Sequence, residues 1–230
     1  MTVEDTRLAV QRDPAATVTA LEGASTADAS ELAGDTPNPR QPLPSGPGAK
    51  VRILSTANRL FYFEGIRAVG IDRLISESSV TKATFYKHFG SKDALIVAYI
   101  TAVHEETVEL VNGIEASASS PRDALQQLVT HLQQQLQSDD FRGCAFINAA
   151  VEFSDAAHPV RQLVMAHRDW YTAVIAELFR ESGHELPGDA ADEFLVLRDG
   201  AMMGAYVGDA IATTTAMTRL SERALQGIAA

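Results

Sequence analysis

The chain has 230 residues, enough to bury a sizeable core, and a net charge of −11, which argues against nonspecific nucleic-acid binding over its whole surface. Its 46% hydrophobic and 7% aromatic content, rich in Ala and Leu, favours helices, because these two residues are among the strongest helix formers. A single cysteine, Cys144, excludes an internal disulfide framework and fits a reducing compartment. No apolar run approaches the ~20 residues of a membrane helix. The opening "MTVEDTRLAVQRDPAAT" carries early acids and no apolar secretory core, so a cytoplasmic protein without a membrane partner is expected.

Residues 1–48 read as a disordered Pro/Gly-rich tail. Pro37, Pro39, Pro42, Pro44 and Pro47, joined by Gly46 and Gly48, remove backbone donors and leave no regular apolar period. Order is expected from Lys50. Ile53, Leu54, Ala57, Leu60 and Phe61 recur at helical spacing, and Gly65 offers a stop. A shorter helix is expected over Ile71 to Ser78 with Gly70 as N-cap, then a tight turn at Ser79 and Val80, then a third helix over Thr81 to Phe89. Gly90 ends that helix, and Ser91 caps a long fourth one containing Leu95, Ile96, Tyr99 and Val103. Further helices are expected at roughly 121–138, 143–154, 159–182, 189–209 and 214–227, with Pro121 and Pro159 near starts and Gly183 at a stop. No β-alternation or repeat is evident, and the fold class is all-α.

Charge is uneven along this plan. Between residues 50 and 102, Lys50, Arg52, Arg59, Arg67, Arg73, Lys82, Lys87 and Lys92 face Glu64, Asp72, Glu77 and Asp93, a local charge of +4 against −15 for the remainder. At 100° per residue, Phe85 and Phe89 share the inner face of the third helix. Ala83, Thr84 and Lys87 lie roughly opposite, Tyr86 and His88 flank them, and Lys82 occupies the first turn. A short helix, a tight turn and a basic second helix match a helix-turn-helix whose second helix enters the major groove. Small Ala83 and Thr84 allow close approach to base edges and thymine methyls, while Lys87, Tyr86, His88 and Lys92 reach phosphates.

The stretch "VRILSTANRLFYFEGIRAVGIDRLISESSVTKATFYKHFGSKDAL" resembles the DNA-binding domain of tetracycline-repressor-type (TetR/AcrR) regulators, with "VTKATFYKHFGSKDAL" as its most specific part. The resemblance implies a DNA-binding domain over residues 49–100, with the helix-turn-helix at 70–89, followed by an effector-binding and dimerisation domain over 101–230. The DNA-contacting set it implies, joined to the helical projection, is Thr81, Lys82, Ala83, Thr84, Tyr86, Lys87, His88 and Lys92. Two departures stand out: Ser79 replaces the family's usual glycine in the turn, and Ile75 replaces a small alanine. If position 79 needs a left-handed backbone, serine costs ~1–2 kcal/mol there.

In the second half, Gly200, Gly204 and Gly208 recur every four residues. Each mid-helix glycine costs ~0.8–1 kcal/mol relative to alanine, so something should approach closely, either within the monomer or across a subunit interface. The family pairs its last two helices between subunits, which implies an interface of Gly200, Gly204, Gly208, Met217, Leu220 and Ala224, with Ile228 continuing the stripe. Arg198, Asp199 and Asp209 exclude a membrane role for this stretch. Phe146, Met165, Trp170, Phe194 and Met202 are candidates to line an effector pocket, although such residues also serve as ordinary core; Phe153, Phe179 and Met203 belong to the same group. The function implied is a dimeric repressor released from a palindromic operator in double-stranded DNA by a small-molecule effector of unknown identity. The alternative is redox sensing through Cys144. Catalysis is disfavoured: His158 and His167 lie at no nucleophile–base spacing from Cys144, and no phosphate loop or metal pattern is present. No cofactor or metal is expected.

Overall fold

The computed structural model describes residues 47–226, so the expected tail lies outside them except for Pro47 and Gly48, as does Ile228. Nine α-helices occur among the described residues: α1 Ala49–Glu64, α2 Ile71–Glu77, α3 Lys82–Phe89, α4 Lys92–Ser117, α5 Pro121–Leu136, α6 Ala145–Glu152, α7 Pro159–Glu181, α8 Pro187–Val207 and α9 Ala210–Gln226. None is long and apolar enough to cross a membrane. The class is all-α.

Local signals account for most boundaries. Thr81, Ser91 and Ser120 accept hydrogen bonds at the starts of α3, α4 and α5 from the N–H groups of Thr84, Ala94 and Asp123. Pro121, Pro159 and Pro187 occupy first turns, where their missing N–H is harmless. Gly65 and Gly90 close α1 and α3 at positive φ, +92° and +70°. Ser79 is the one non-glycine residue with positive φ (53°) among the described residues, so the turn between α2 and α3 does use a left-handed backbone at a residue carrying a Cβ.

The last two helices depart from expectation. α8 ends at Val207, and α9 begins at Ala210 rather than near 214. Asp209 makes the break: its Oδ1 accepts from the Ala212 N–H at 3.0 Å, an N-cap that divides what reads as one small-residue stripe. Gly208 therefore lies beyond α8, and only Gly200 and Gly204 remain helical.

α1, α2 and α3 pack around Ile53, Ala57, Leu60, Leu74 and Phe85, all with no exposed surface, and α4 joins this core through Leu95 and Ile100. Ile75, the bulky departure in α2, is accommodated partly buried at its edge. Beyond it, α7 is the central element of the second half, touching α4, α5, α6 and α8, while α9 covers α8 and α5. Long α4 spans both halves. The junction is pinned by Glu152 at the end of α6, whose carboxylate accepts from the N–H groups of Ile66 (2.8 Å) and Arg67 (2.7 Å) in the turn after α1.

Candidate nucleic-acid interface and effector cavity

Helix α3 is held from below by Phe85 and Phe89, both buried, with Phe85 edge-on to Tyr86. Its outer surface exposes Lys82, Ala83, Tyr86, Lys87 and His88 together. Thr81 and Thr84 are tied to one another, their hydroxyls 2.9 Å apart and the Thr84 N–H donating to Thr81 Oγ1 at 3.1 Å. They contribute a stiff helix start with one hydroxyl proton to spare. Lys92 is turned back: half-buried, with Nζ 6.0 Å from the Phe61 ring centroid. Burial pushes its pKa down, against the pull of Glu152 and Asp93.

Much of the remaining positive charge in this half is committed inside the chain. Arg59 and Arg73 pair with Glu77, and Arg73 also with Glu64. Arg52 donates to the carbonyls of Ser78 (3.2 Å), Pro47 (2.8 Å) and Ser79 (3.4 Å), bracing the strained turn. Lys82 and Lys87 have no carboxylate within 4 Å among the described residues, so the local charge emerges on the outer face of α3.

A cavity of about 300 Å³ lies in the second half, walled by α1, α4, α5, α6, α7 and α8. Asn58, Tyr62, Tyr99, Glu106, His131 and Arg198 supply its polar lining; Val103, Leu128, Leu132, Phe146 and Met202 are among its apolar walls. The buried Asn58 Oδ1 has no hydrogen-bond partner among the described residues. Burial raises the Tyr99 hydroxyl pKa and lowers that of His131, so both face the cavity uncharged near neutral pH. Tyr62 ties this wall to the N-terminal half: its hydroxyl donates to Gly143 O (3.0 Å) and accepts from the Arg142 N–H (2.9 Å).

Of the residues expected in an effector pocket, Phe146 and Met202 line this cavity and Met165 does not. Met165 is 53% exposed and borders a second cleft. Phe194 is core at 3% exposure, and Trp170 packs edge-on to His104, so neither lines either cavity. Asn58, Tyr62, His131 and Arg198 were missed. Only Arg198 left a signal, as an arginine in the apolar run "FLVLRDGAMMG".

The expected interface also needs correction. Met217 is 2% exposed and belongs to this chain's own core. A Cβ on Gly204 would sit 3.2 Å from Thr213 Oγ1, so the close approach at that glycine is α9 packing on α8 within one chain. A Cβ on Gly208, beyond the helix, would sit tightly against Gly204 O at 3.1 Å. Gly200 faces open space, Leu220 is 44% exposed and Ala224 is half-buried. At 100° per residue Gly200 shares one face of α8 with Val196, Met203 and Val207, which are 69%, 42% and 70% exposed.

Residues 53–99 match the family described as bacterial regulatory proteins, tetR family. The crystal structure of a TetR-family transcriptional regulator from Streptomyces coelicolor superposes with a TM-score of 0.75 at 36% identity, covering 78% of this chain and 95% of that one. The HTH-type transcriptional regulator LmrA of Bacillus subtilis is 27% identical over 138 residues, 59% of this chain and 73% of its own length. The reduced form of Escherichia coli NemR shares the fold, with a TM-score of 0.69 at 19% identity over 76% of this chain and 95% of that one.

Proposed function

The chain belongs to the TetR family of bacterial transcriptional regulators, which bind DNA through a helix-turn-helix, and from that premise we propose that it is a homodimeric repressor released from a palindromic operator by a small-molecule effector. The observation that carries the reading is the outer face of α3: two lysines with no carboxylate partner among the described residues, an exposed tyrosine and small Ala83, on a helix anchored by Phe85 and Phe89. Two such helices would enter successive major grooves about 34–36 Å apart. Residues 49–100 form the DNA-binding unit of this proposal, and Thr81, Lys82, Ala83, Thr84, Tyr86, Lys87 and His88 its contact surface. Lys92 contributes after swinging out from Phe61.

The apolar face of α8 built on Val196, Gly200, Met203 and Val207 is where the second subunit would pack, with Leu220 of α9 at its margin. The effector would occupy the 300 Å³ cavity. From there two contacts lead to the DNA-binding half, Tyr62 on Gly143 and Glu152 on the turn after α1. An effector acts only if it binds one placement of α3 better than the other. Footprinting the protein on its own genome and titrating the sites recovered tests the reading. Sequence-specific protection with half-sites one helical turn apart is expected, and protection that ignores sequence would refute it.

A second reading has its own observation: Arg198 Nη2 lies 3.7 Å from Cys144 Sγ, in the wall of the same cavity. Cys144 is the chain's one thiol, and a peroxide would convert it to a sulfenic acid with loss of the peroxide's other oxygen as water or alcohol. In that case peroxide releases the operator from the wild type and not from Cys144→Ser.

A further inference from the structure

The second cleft, about 390 Å³, lies between α6, α7 and α8 and concentrates arginine. Arg161 and Arg168 project from α7 seven residues apart, with Val164 and Met165 between them on the same face, and Arg198 projects from α8. Asp199 is the one carboxylate in the lining, and it accepts from both Arg168 and Arg198. His167, the remaining titratable nitrogen group in the wall, is kept neutral by burial and by its approach to His104. The charge count of the lining is therefore three guanidiniums against one carboxylate, within a chain of net charge −11.

Arg161 is incompletely used. Its Nη1 donates to the carbonyls of Ala150 (3.4 Å) and Phe153 (3.2 Å), and its buried Nε has no hydrogen-bond partner among the described residues. A buried guanidinium donor left unmatched is costly, and a carboxylate, whose two oxygens fit a guanidinium fork, would relieve that cost once the Arg161 side chain turns toward the cleft. Most of the remaining lining is apolar, with Phe146, Ile147, Val151, Val164 and Leu195 beside Cys144 and Tyr171, and exposed Val151 and Met165 mark where it meets solvent. Leu195, Arg198 and Asp199 face it from a side of α8 turned away from the exposed Val196–Val207 stripe, so a subunit packed on that stripe leaves the cleft's own face of α8 free.

We propose that this cleft is a binding site for an amphipathic organic anion, a carboxylate with an apolar tail or ring, held by Arg161, Arg168 and Arg198 with its apolar body against α6 and α8. This site is separate from the 300 Å³ cavity, although Cys144, Phe146, Tyr171 and Arg198 form a shared wall. Because Arg161 also holds the last carbonyls of α6, an anion drawing on Arg161 would act on the helix whose Glu152 clasps the DNA-binding half.

The probes are octanoate and its uncharged counterpart 1-octanol, titrated into the full-length protein without DNA. Binding is followed by calorimetry and by the fluorescence of Trp170, the single tryptophan, which packs against His167 of the cleft. Octanoate is expected to bind roughly tenfold or more tighter than octanol, the effect of a charge-assisted hydrogen bond. Arg161→Gln and Arg168→Gln should each weaken octanoate by about tenfold while leaving octanol unchanged. Arg168 is 48% exposed, so its variant tests the site even if Arg161→Gln fails to fold. His131→Phe, in the other cavity, should change neither titration. Equal affinity for the two probes, indifference to Arg168→Gln, or loss of octanoate binding in His131→Phe would each overturn the proposal. Since DNA is absent, these outcomes are independent of whether the operator reading holds.

Discussion

Helix α3 and the α6–α8 cleft both gather cations on an acidic chain, and they hold them differently. On α3 the cations are lysines on exposed stems with no carboxylate within 4 Å among the described residues. In the cleft they are arginines around one carboxylate, Arg198 retaining only 14% of its side-chain exposure. A compact ammonium on a flexible stem suits a phosphate backbone, where many weak contacts add, whereas a planar guanidinium held by its neighbours suits one anion in fixed geometry. Exposure is thus as informative as charge: the same formal sign is presented outward in one place, as the proposed contact with a long polymer requires, and enclosed in the other, as the proposed small anion requires.

The contrast is broken most severely on α3. Tyr86→Ala and Lys87→Ala are each expected to weaken operator binding by roughly 10- to 100-fold, as loss of contacts to charged phosphate does, with unchanged helicity by circular dichroism. Arg168→Gln should leave anion-free DNA affinity unaltered in the same anisotropy titration. A Lys87→Ala protein that binds as the wild type would put the α3 face out of use. Next comes the clasp between the two regions. Glu152→Gln keeps the shape and removes the charge assistance on the Ile66 and Arg67 amides, so hydrogen exchange at these two sites should accelerate by about tenfold, with little change at Leu74.

A smaller effect depends on pH. His167 is pushed down to about 2 by burial first and by His104 second, and His104 is lowered by burial. The unfolded chain binds protons at these groups below about pH 6.5 while the folded chain resists them, so stability falls as pH drops from that point. From His167 about 1 kcal/mol is expected between pH 6.5 and 5.5, with His104 acting in the same direction, read as the shift in urea midpoint, and the loss should shrink in His167→Phe. The smallest effect is local to the turn. Ser79→Gly should raise stability by roughly 1 kcal/mol by relieving the left-handed serine, without changing DNA affinity. A loss of stability there would mean that the glycine's greater freedom in the unfolded chain outweighs the strain relieved.

The N-terminal half was legible because each of its signals acts over a few residues. Gly65, Gly70, Thr81, Gly90 and Ser91 all stand at helix boundaries, and the period of Phe85 and Phe89 told which face of α3 turns inward. The second half was read less well wherever the partner is distant in sequence. The glycine row suggested close approach, and close approach occurs at Gly204, but Thr213 of the same chain supplies it. Asp209, used only as evidence against a membrane span, turned out to be the cap that starts α9. Trp170 and Phe194 looked the same as Phe146 and Met202 in the sequence, and only packing separated core from cavity wall.

What the amino-acid order determined by itself is the set of helices up to α7 and the outward character of α3, since caps, prolines, glycine stops and 3.6-residue periodicity operate within one or two turns of backbone. What tertiary structure alone decided is where charge is free and where space remains. Arg59 and Arg73 are silenced by Glu64 and Glu77, Lys92 folds back on Phe61, and Arg161 and Arg168 of α7 meet Arg198 of α8, thirty or more residues further along the chain. The reason is physical: Coulomb energy and excluded volume depend on distances through space, and those exist only once the helices have packed.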